Sequence, residues 1–158
     1  MKIFLDTADV DLIEKYYGTG LIDGVTTNPT LIKKSGYDPE EVYRKIALIG
    51  VDDISMEIVT DDSYEFLKEG RRLKEKFGEI TTIKVPCTPE GLKGCKLLSK
   101  EGIRVNVTLI FSAAQAVLAS KAGAAYVSPF VGRVDDNSFD GLSLIEEIAD
   151  IYETQSRL

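Results

Sequence analysis

Six short apolar segments rich in β-branched residues recur along the chain and predict six β-strands. The segments are KIFLD (2–6), GVTTN (24–28), ISMEIV (54–59), TTIKVP (81–86), RVNVTLI (104–110) and YVSPF (126–130). Between most of them the apolar positions repeat with a helical period, as in DPEEVYRKIALI and SAAQAVLASKAG. Strands that alternate with helices in this way indicate βα units and a parallel sheet.

Several of the predicted helices carry start and stop signals. Asp38 is suited to cap a helix that begins at Pro39, and Ser112 is suited to cap a later one. Glycines at the far ends of periodic segments mark helix termini, because glycine adopts the left-handed conformation that often ends a helix. These glycines are Gly78, Gly102 and Gly123. A last helix is predicted in DGLSLIEEIADIY, close to the end of the sequence.

Polar residues interrupt the predicted strands, and they lie late in each segment. They are Asp6, Asn28, Glu57, Lys84, Asn106 with Thr108, and Ser128. Parallel strands buried on both faces usually read as continuous apolar runs, so these interruptions need a reason. In a βα barrel, the carboxyl ends of the strands surround the active site. The pattern therefore predicts an α/β protein of the TIM (β/α)8-barrel type with one convergent polar site.

Composition narrows the class of protein. A chain of 158 residues with 44% hydrophobic content suits one domain over residues 1–158. The net charge of -7 disfavours nucleic acid as a partner. The apolar runs are too short for a membrane span, and no signal peptide is recognisable at the start. Two cysteines do not form a disulfide framework, so we expect a cytoplasmic location. The absence of histidine excludes a Ser–His–Asp triad and histidine-ligated zinc.

Lys84 suggests the chemistry, because it lies between Ile83 and Val85 in a strand that is otherwise apolar. Burial among apolar neighbours shifts an amine toward its neutral, nucleophilic form. A neutral lysine can form a Schiff base with a ketone and make an adjacent carbon–carbon bond breakable. Such a reaction needs a carboxylate for proton transfer, which Asp6 and Glu57 offer. The residue types thus point to a class I aldol reaction on a phosphorylated sugar, without metal or cofactor.

The remaining polar residues have roles in this scheme as well. Short side chains that can hold the hydroxyl groups of a sugar are Asn28, Asn106, Thr108 and Ser128. Arg133, just past the sixth strand, has a planar guanidinium that can clamp a phosphate.

Each of these residues also has a structural alternative. Lys84 can belong to a structural ion pair, and Glu57 can face water on an edge strand. Asp6 can cap a helix, and Asn28-Pro29 can form a turn. The sequence around Asn106 matches a glycosylation sequon. Arg133 and the pair Asp135-Asp136 can lie in a solvated loop. Any one residue is weak evidence, whereas the repetition over six strands favours a site.

Five motifs together give the chain a strong resemblance to the transaldolase family. They are LDTAD (5–9), GVTTNPTLI (24–32), IKVPCTPEG (83–91), NVTLIFSAAQA (106–116) and YVSPFVGR (126–133). The likeness is to the small microbial subfamily, which also contains fructose-6-phosphate aldolases, and it extends from residue 1 to about residue 152. The resemblance implies Lys84 as the Schiff-base lysine, Asp6 as the acid–base residue, and Glu57 with Thr108 around the catalytic water. It also implies that the dihydroxyacetone part of the substrate is bound by Asn28, Asn106 and Ser128, and a phosphate by Arg133.

Three positions resemble the transaldolase branch more than the aldolase branch. The aldolases tend to have glutamine in place of Glu57 and tyrosine in place of Phe130, and they lack Asn106. Phe130 lines the substrate site by resemblance and keeps it drier than a tyrosine would, which favours transfer over hydrolysis. We therefore expect transfer of a dihydroxyacetone unit from a ketose phosphate to an aldose phosphate in the pentose phosphate pathway. The alternative within the family is a fructose-6-phosphate aldolase.

The family fold has eight βα units, and about six of them fall within these 158 residues. The sequence leaves the family pattern at about Glu153, so the chain resembles a C-terminally truncated member. Three accounts stay open. The chain can be an active enzyme completed by another subunit or by an unusual closure. It can be a shortened inactive form whose gap is filled by self-association or a partner protein, or a non-catalytic sugar-phosphate binder or assembly subunit. Full-length relatives form large assemblies, so the resemblance implies a homo-oligomer.

Overall fold

The computed structural model describes residues 1–155 of the chain. Its strands are β1 (Phe4–Asp6), β2 (Gly24–Thr26), β3 (Asp53–Glu57), β4 (Thr81–Pro86), β5 (Arg104–Ile110) and β6 (Tyr126–Pro129). Its helices are α1 (Val10–Tyr17), α2 (Pro29–Ser35), α3 (Pro39–Ile49), α4 (Ser63–Phe77), α5 (Pro89–Lys100), α6 (Ala113–Ala122), α7 (Val131–Asp136) and α8 (Gly141–Gln155). A 3₁₀ turn, Gly78–Ile80, leads into β4.

All six predicted strands are present, and they follow one another in the sheet in chain order. The bounds of β4 and β5 match the prediction, whereas β1 and β2 are each two residues shorter than their apolar segments. The pairs β1–β2, β2–β3 and β5–β6 are parallel. This alternation of parallel strands with helices confirms the α/β class and the βα-barrel type. The predicted single domain reaches residue 158, so its last three residues lie outside the described ones.

Side-chain caps begin the helices where the sequence predicts them. The Asp38 carboxylate accepts hydrogen bonds from the first backbone N–H groups of α3, and the Ser112 hydroxyl accepts one at the start of α6. Gly123 ends α6 with a φ of 93°, and Gly78 follows α4 with a φ of 69°. These residues satisfy backbone groups that a helix end leaves without partners, so they fix where each helix starts and stops.

Three alternatives from the sequence are wrong. The N-cap of α1 is Asp9 and not Asp6, because the Asp9 carboxylate accepts the Leu12 N–H at 3.1 Å. Asn28 does not lie in an isolated turn but begins the helix α2. The pair Asp135-Asp136 lies in the short helix α7 and not in a loop.

The described chain divides into two compact units. The first unit contains Met1–Ile58 and Lys68–Ile83, and the second contains Val59–Leu67 and the chain from Lys84 onward. The elements α4 and β4 each give residues to both units. The prediction of a single domain stays a prediction.

In the first unit, the register of β1, β2 and β3 aligns polar positions with one another. Asp6 lies opposite Thr26, and Thr26 lies opposite Ser55. Side chains alternate between the two faces of a strand, so these three residues share a face. The opposite face supplies apolar core residues, of which Val25 and Ile54 are fully buried.

The same face as Asp6 also carries a close contact that only glycine permits. A Cβ atom at Gly24 would lie 2.4 Å from the ring of Phe4 and 2.7 Å from the Asp53 carbonyl oxygen. Contacts this short are not tolerated, so any larger residue would force the strands or the Phe4 ring to move. Gly24 therefore allows Phe4 to cover the start of β2.

In the second unit, β5 and β6 carry the core and the polar site candidates. Val105, Val107 and Ile110 in β5 are fully buried. The register pairs Val107 with Val127 and then Ile110 with Pro129, so two residues of β5 span the position of one residue of β6. This irregularity is a β-bulge, which bends a strand and redirects its side chains.

Candidate active site

The nine predicted site residues divide between the two units, with three in the first and six in the second. Those in the first unit are Asp6, Asn28 and Glu57. Those in the second unit are Lys84, Asn106, Thr108, Ser128, Phe130 and Arg133. All except Arg133 lie in a strand or within two residues of its carboxyl end. Asp6 and Glu57 are the last residues of their strands, whereas Lys84 and Asn106 lie within β4 and β5.

Asp6 is the last residue of β1, and its carboxylate is held by a neighbouring strand. The hydroxyl of Thr26 donates a hydrogen bond of 2.8 Å to Asp6 Oδ1. Asp6 is exposed, so its second carboxylate oxygen is open to a ligand. Thr26 is a further candidate residue that the sequence analysis missed. The signal was present, because Thr26 is a polar residue in a strand that precedes Asn28.

Asn28 combines a structural role with the predicted binding role. Its Oδ1 accepts the backbone N–H of Leu31 at 3.0 Å and so caps α2. Because the cap needs an acceptor, the carbonyl oxygen of the amide faces the helix and the NH₂ group remains as a donor. An amide donor suits a sugar hydroxyl or carbonyl oxygen. The side chain is half-buried at this position.

Glu57 ends β3 close to a buried tyrosine that the sequence reasoning missed. Burial raises the pKa of Tyr43, and the Glu57 carboxylate raises it further, whereas hydrogen bonds with Thr27 and the Glu57 backbone act in the opposite direction. Tyr43 is only 3% exposed, so its neutral hydroxyl is a fixed neighbour of Glu57. Glu57 itself is half-buried, and β3 is not an edge strand of the sheet, so the edge-strand alternative is wrong.

Lys84 is buried, as its sequence context predicts. Its exposure is 6%, and its neighbours Ile83 and Val85 are fully buried. A lysine at such a position loses most of its hydration, which is costly for an ammonium unless a partner compensates or the amine is neutral. The burial fits a Schiff-base lysine. It also leaves open the alternative of a structural ion pair.

Asn106 and Ser128 form a polar pair between β5 and β6. The Ser128 hydroxyl donates a hydrogen bond of 2.8 Å to Asn106 Oδ1. Asn106 is 3% exposed, so this bond satisfies a buried acceptor and fixes the orientation of the amide. The sequence predicts that both residues bind the same part of a ligand, and the structure brings them together.

Thr108 lies two residues beyond Asn106 and is 2% exposed. Its hydroxyl has no hydrogen-bond partner within residues 1–155. A buried polar group without a partner costs about 1–3 kcal/mol. Such a group is suited to bind a water molecule or a ligand that enters the site.

Phe130 and Arg133 lie beyond the end of β6. The ring of Phe130 packs against that of Phe111, with 5.5 Å between the centroids and an interplanar angle of 58°. Arg133 belongs to α7 and lines a cavity of about 500 Å³ that contains no other predicted site residue. Asp140 and Glu147 also line this cavity and would repel a phosphate. The lining of this cavity does not include Asn106, Thr108 or Ser128.

Comparison with known proteins identifies the family. A family model described as transaldolase/fructose-6-phosphate aldolase matches residues 3–157. The chain belongs to this family. This result confirms the family resemblance of the five motifs and supports an aldolase or transferase class of enzyme.

Relatives in the transaldolase/fructose-6-phosphate aldolase family are similar in sequence along nearly the whole chain. A protein of Nitrosopumilus maritimus named probable transaldolase is 50% identical over 158 residues, which are 100% of this chain and 71% of that protein. A probable transaldolase of Methanococcus vannielii is 55% identical over 152 residues, 96% of this chain and 70% of the relative. One of Ruegeria pomeroyi is 52% identical over 97% of this chain and 70% of the relative. The chain thus spans about 70% of the length of these relatives.

A solved structure shares the fold of this transaldolase-family chain. A crystal structure of mandelate oxidase with a difluorinated hydroxyphenylpropionic acid superposes with a TM-score of 0.52. It is 14% identical in sequence, and the match covers 80% of this chain and 48% of that chain. At this identity the likeness concerns the fold alone.

Residues 1–155 have two further properties. No helix in this range has the length and apolar character needed to cross a bilayer. The same range contains no group of three or more side chains suited to hold a metal ion.

Proposed function

We propose that the chain is a transaldolase that moves a dihydroxyacetone unit from a ketose phosphate to an aldose phosphate. The proposed donors are fructose 6-phosphate and sedoheptulose 7-phosphate, as in the pentose phosphate pathway. One observation carries the proposal: Lys84 is 6% exposed in the middle of β4, in a chain of the transaldolase/fructose-6-phosphate aldolase family.

In the proposed reaction, the neutral amine of Lys84 attacks the ketone carbon of the donor, and loss of water gives a protonated imine. Asp6 then removes the proton of the β-hydroxyl, the adjacent Cα–Cβ bond breaks, and an aldose phosphate leaves as an aldehyde. The electron pair of that bond enters the imine and leaves an enamine on Lys84. The enamine attacks the aldehyde of the acceptor, and Asp6 returns the proton to the new hydroxyl. Water hydrolyses the imine and releases the product and the lysine.

The other candidate residues receive supporting roles in this proposal. Glu57 and Thr108 hold the water that enters and leaves during imine exchange, and the buried hydroxyl of Thr108 supports this role. Asn28, Asn106 and Ser128 bind the oxygens of the dihydroxyacetone unit. Phe130 excludes further water, and Arg133 binds a phosphate; the carboxylates that line its cavity weigh against this last assignment.

Borohydride trapping tests the proposal. Incubation with fructose 6-phosphate and sodium borohydride should reduce the imine and leave a stable adduct on Lys84 that peptide mass spectrometry locates. Lys84→Met, which keeps an unbranched side chain without the amine, should give no adduct. Lys100→Ala, at an exposed lysine of α5, is the matched control and should be trapped like the wild-type chain. A folded wild-type chain that traps nothing would contradict the proposal and favour a non-catalytic sugar-phosphate binder.

The name of the family favours one alternative, a fructose-6-phosphate aldolase. The two activities differ in the fate of the enamine, because an aldolase protonates it and releases dihydroxyacetone. Enzymatic measurement of free dihydroxyacetone, with and without an acceptor aldose phosphate, separates them. We expect transfer to dominate, since Phe130 offers no hydroxyl that could deliver a proton or water.

We also propose that the protein acts in the cytoplasm as a homo-oligomer, as its resemblance to the family implies. Light scattering coupled to size-exclusion chromatography gives the molar mass. A value equal to the 17.4 kDa of one chain would contradict this part of the proposal.

A further inference from the structure

Leu109 has a backbone conformation that leucine rarely adopts. Its φ is 60°, in the left-handed region that favours glycine. The residue lies in the bulge of β5, where Thr108 and Leu109 together span the position of Ser128 on β6. Bulges between parallel strands are rare, and bulges concentrate next to active sites.

Packing of the Leu109 side chain does not account for this conformation. It is 39% exposed, whereas the flanking Thr108 and Ile110 are 2% and 0% exposed. The backbone on each side is fixed instead. The Thr108 carbonyl accepts the Cys87 N–H at 2.9 Å, and the Ile110 carbonyl accepts the Phe130 N–H at 2.9 Å. These two hydrogen bonds hold Leu109 from both sides, so its neighbours impose its conformation.

The bulge changes which face of β5 the side chains after Thr108 lie on. In a regular strand, Asn106, Thr108 and Ile110 would all lie on the same face. The extra residue changes the alternation, so Thr108 can stay with Asn106 while Ile110 is buried like Val105 and Val107. The hydroxyl of Thr108 is then buried without a partner in the described part of the chain.

We propose that Leu109 is a positioning residue: its left-handed backbone holds the Thr108 hydroxyl in the orientation that the reaction uses. The inference rests on the proposed function only for the catalytic use of that hydroxyl. The positioning itself is a property of the folded chain. What matters at residue 109 is therefore the ability to adopt a positive φ and not its hydrophobicity.

A substitution series separates these two properties. Leu109→Gly and Leu109→Asn introduce residues that adopt a positive φ readily, and they should keep kcat for transfer near the wild-type value. Leu109→Val keeps an apolar side chain suited to strands but disfavours the left-handed region. It should lower kcat by about 10²-fold with little change in KM, the penalty typical of a misplaced reacting group. The reverse order, with valine active and asparagine inactive, would overturn the proposal.

A double-mutant cycle tests whether Leu109 acts through Thr108. If it does, Thr108→Ala combined with Leu109→Val should have the kcat of Thr108→Ala alone, because the second change has nothing left to misplace. Effects that multiply would mean that Leu109 acts independently of Thr108. Leu109→Ala still requires a positive φ at residue 109 but removes the bulk of the leucine side chain. Circular dichroism verifies that each variant is folded.

A second cycle, in thermal stability, does not depend on activity. Thr108→Val removes the unpartnered hydroxyl and should raise the melting temperature in the wild-type background. In the Leu109→Val background the bulge relaxes and the hydroxyl can find a partner, so that gain should disappear. An unchanged gain would contradict the positioning. A wild-type chain that traps no ketose would contradict the proposed function alone, and the stability cycle would still decide the role of Leu109.

Discussion

The two units differ in how deeply they bury several of their polar site candidates. In the first unit, Asp6 is exposed and Glu57 is half-buried. In the second unit, Lys84, Asn106 and Thr108 are 6%, 3% and 2% exposed. An exposed carboxylate keeps its hydration and costs the fold almost nothing, whereas a buried polar group must find a partner or lower the stability. Activity and stability should therefore be separable at these two carboxylates of the first unit and coupled at the three buried residues of the second.

The largest expected effect is on activity in the first unit. Asp6→Asn should lower kcat for transfer by about 10²–10⁴-fold, because the amide cannot carry the proton of the β-hydroxyl. Its carbonyl oxygen still accepts the hydrogen bond from Thr26, so the free energy of unfolding should change by less than about 0.5 kcal/mol. Steady-state kinetics and urea unfolding measure the two quantities. Asp52→Asn, at another exposed aspartate, is the control and should change neither.

The second prediction concerns one threonine in each unit. Substitution by valine should change the free energy of unfolding in opposite directions at the two positions. Thr108→Val should raise the free energy of unfolding by about 1 kcal/mol, because it removes a buried hydroxyl without a partner. Thr26→Val should lower it by about 1 kcal/mol, because it breaks the hydrogen bond to Asp6. Chemical denaturation measures both changes in the free energy of unfolding. A loss of stability in Thr108→Val would show that its hydroxyl has a partner and would remove the contrast.

The third prediction separates the two roles of Asn28. Asn28→Ala should lower the free energy of unfolding by about 1 kcal/mol through loss of the α2 cap. Asn28→Asp keeps an oxygen that accepts the Leu31 N–H, so it should keep the stability but lose the amide donor. Its KM for the donor sugar should rise, and this is measured by steady-state kinetics. If Asn28→Asp binds the sugar as well as the wild type does, the amide has no part in binding.

The smallest effect concerns acid sensitivity of the first unit. Hydrogen bonds from Lys76 and Arg72 hold the pKa of Glu40 below its usual range. A carboxyl whose pKa is lowered by folding stabilises the folded state above its unfolded pKa, and that contribution is lost as the pH falls through the folded pKa. Glu40→Gln should therefore lower the free energy of unfolding at neutral pH by less than about 1 kcal/mol. The variant should also lose less stability than the wild type as the pH falls into the acid range.

The control for this pH dependence is Glu75→Gln, at an exposed glutamate of the same unit. It should leave the pH profile of the melting temperature unchanged. Added salt should reduce the difference between Glu40→Gln and the wild type, since salt screens exposed charges. A difference that persists in high salt would show that Glu40 acts by something other than its charge.

Much of the fold follows from the sequence because the strongest signals are local. The strands β4 and β5 have the predicted bounds, since β-branched residues alternate there without a glycine or an internal proline. The caps at Asp38 and Ser112 follow from residue type and position alone. The choice between Asp6 and Asp9 as the cap of α1 did not follow, because both precede the helix and only the path of the backbone decides.

The site was predictable as a set of residues but not as a geometry. Lys84 and Asn106 are identified as polar residues inside apolar strands, because each breaks an expected run. The bulge at Leu109 gives no signal, since leucine is a poor choice for a positive φ and the conformation is imposed by hydrogen bonds from Cys87 and Phe130, which follow β4 and β6. Tyr43 was missed because its hydroxyl is hidden on a helix face that reads as apolar.

The double role of Asn28 bears on how this protein can evolve or be redesigned. One amide holds the start of α2 with its oxygen and offers its nitrogen to a ligand. A change that alters sugar preference at this position must keep an oxygen that accepts the Leu31 N–H, so few of the twenty amino acids are admissible there. Adaptation toward new substrates should therefore start at positions such as Phe130, whose side chain makes no cap hydrogen bond to a helix. Libraries that leave residue 28 untouched should contain a larger share of folded variants.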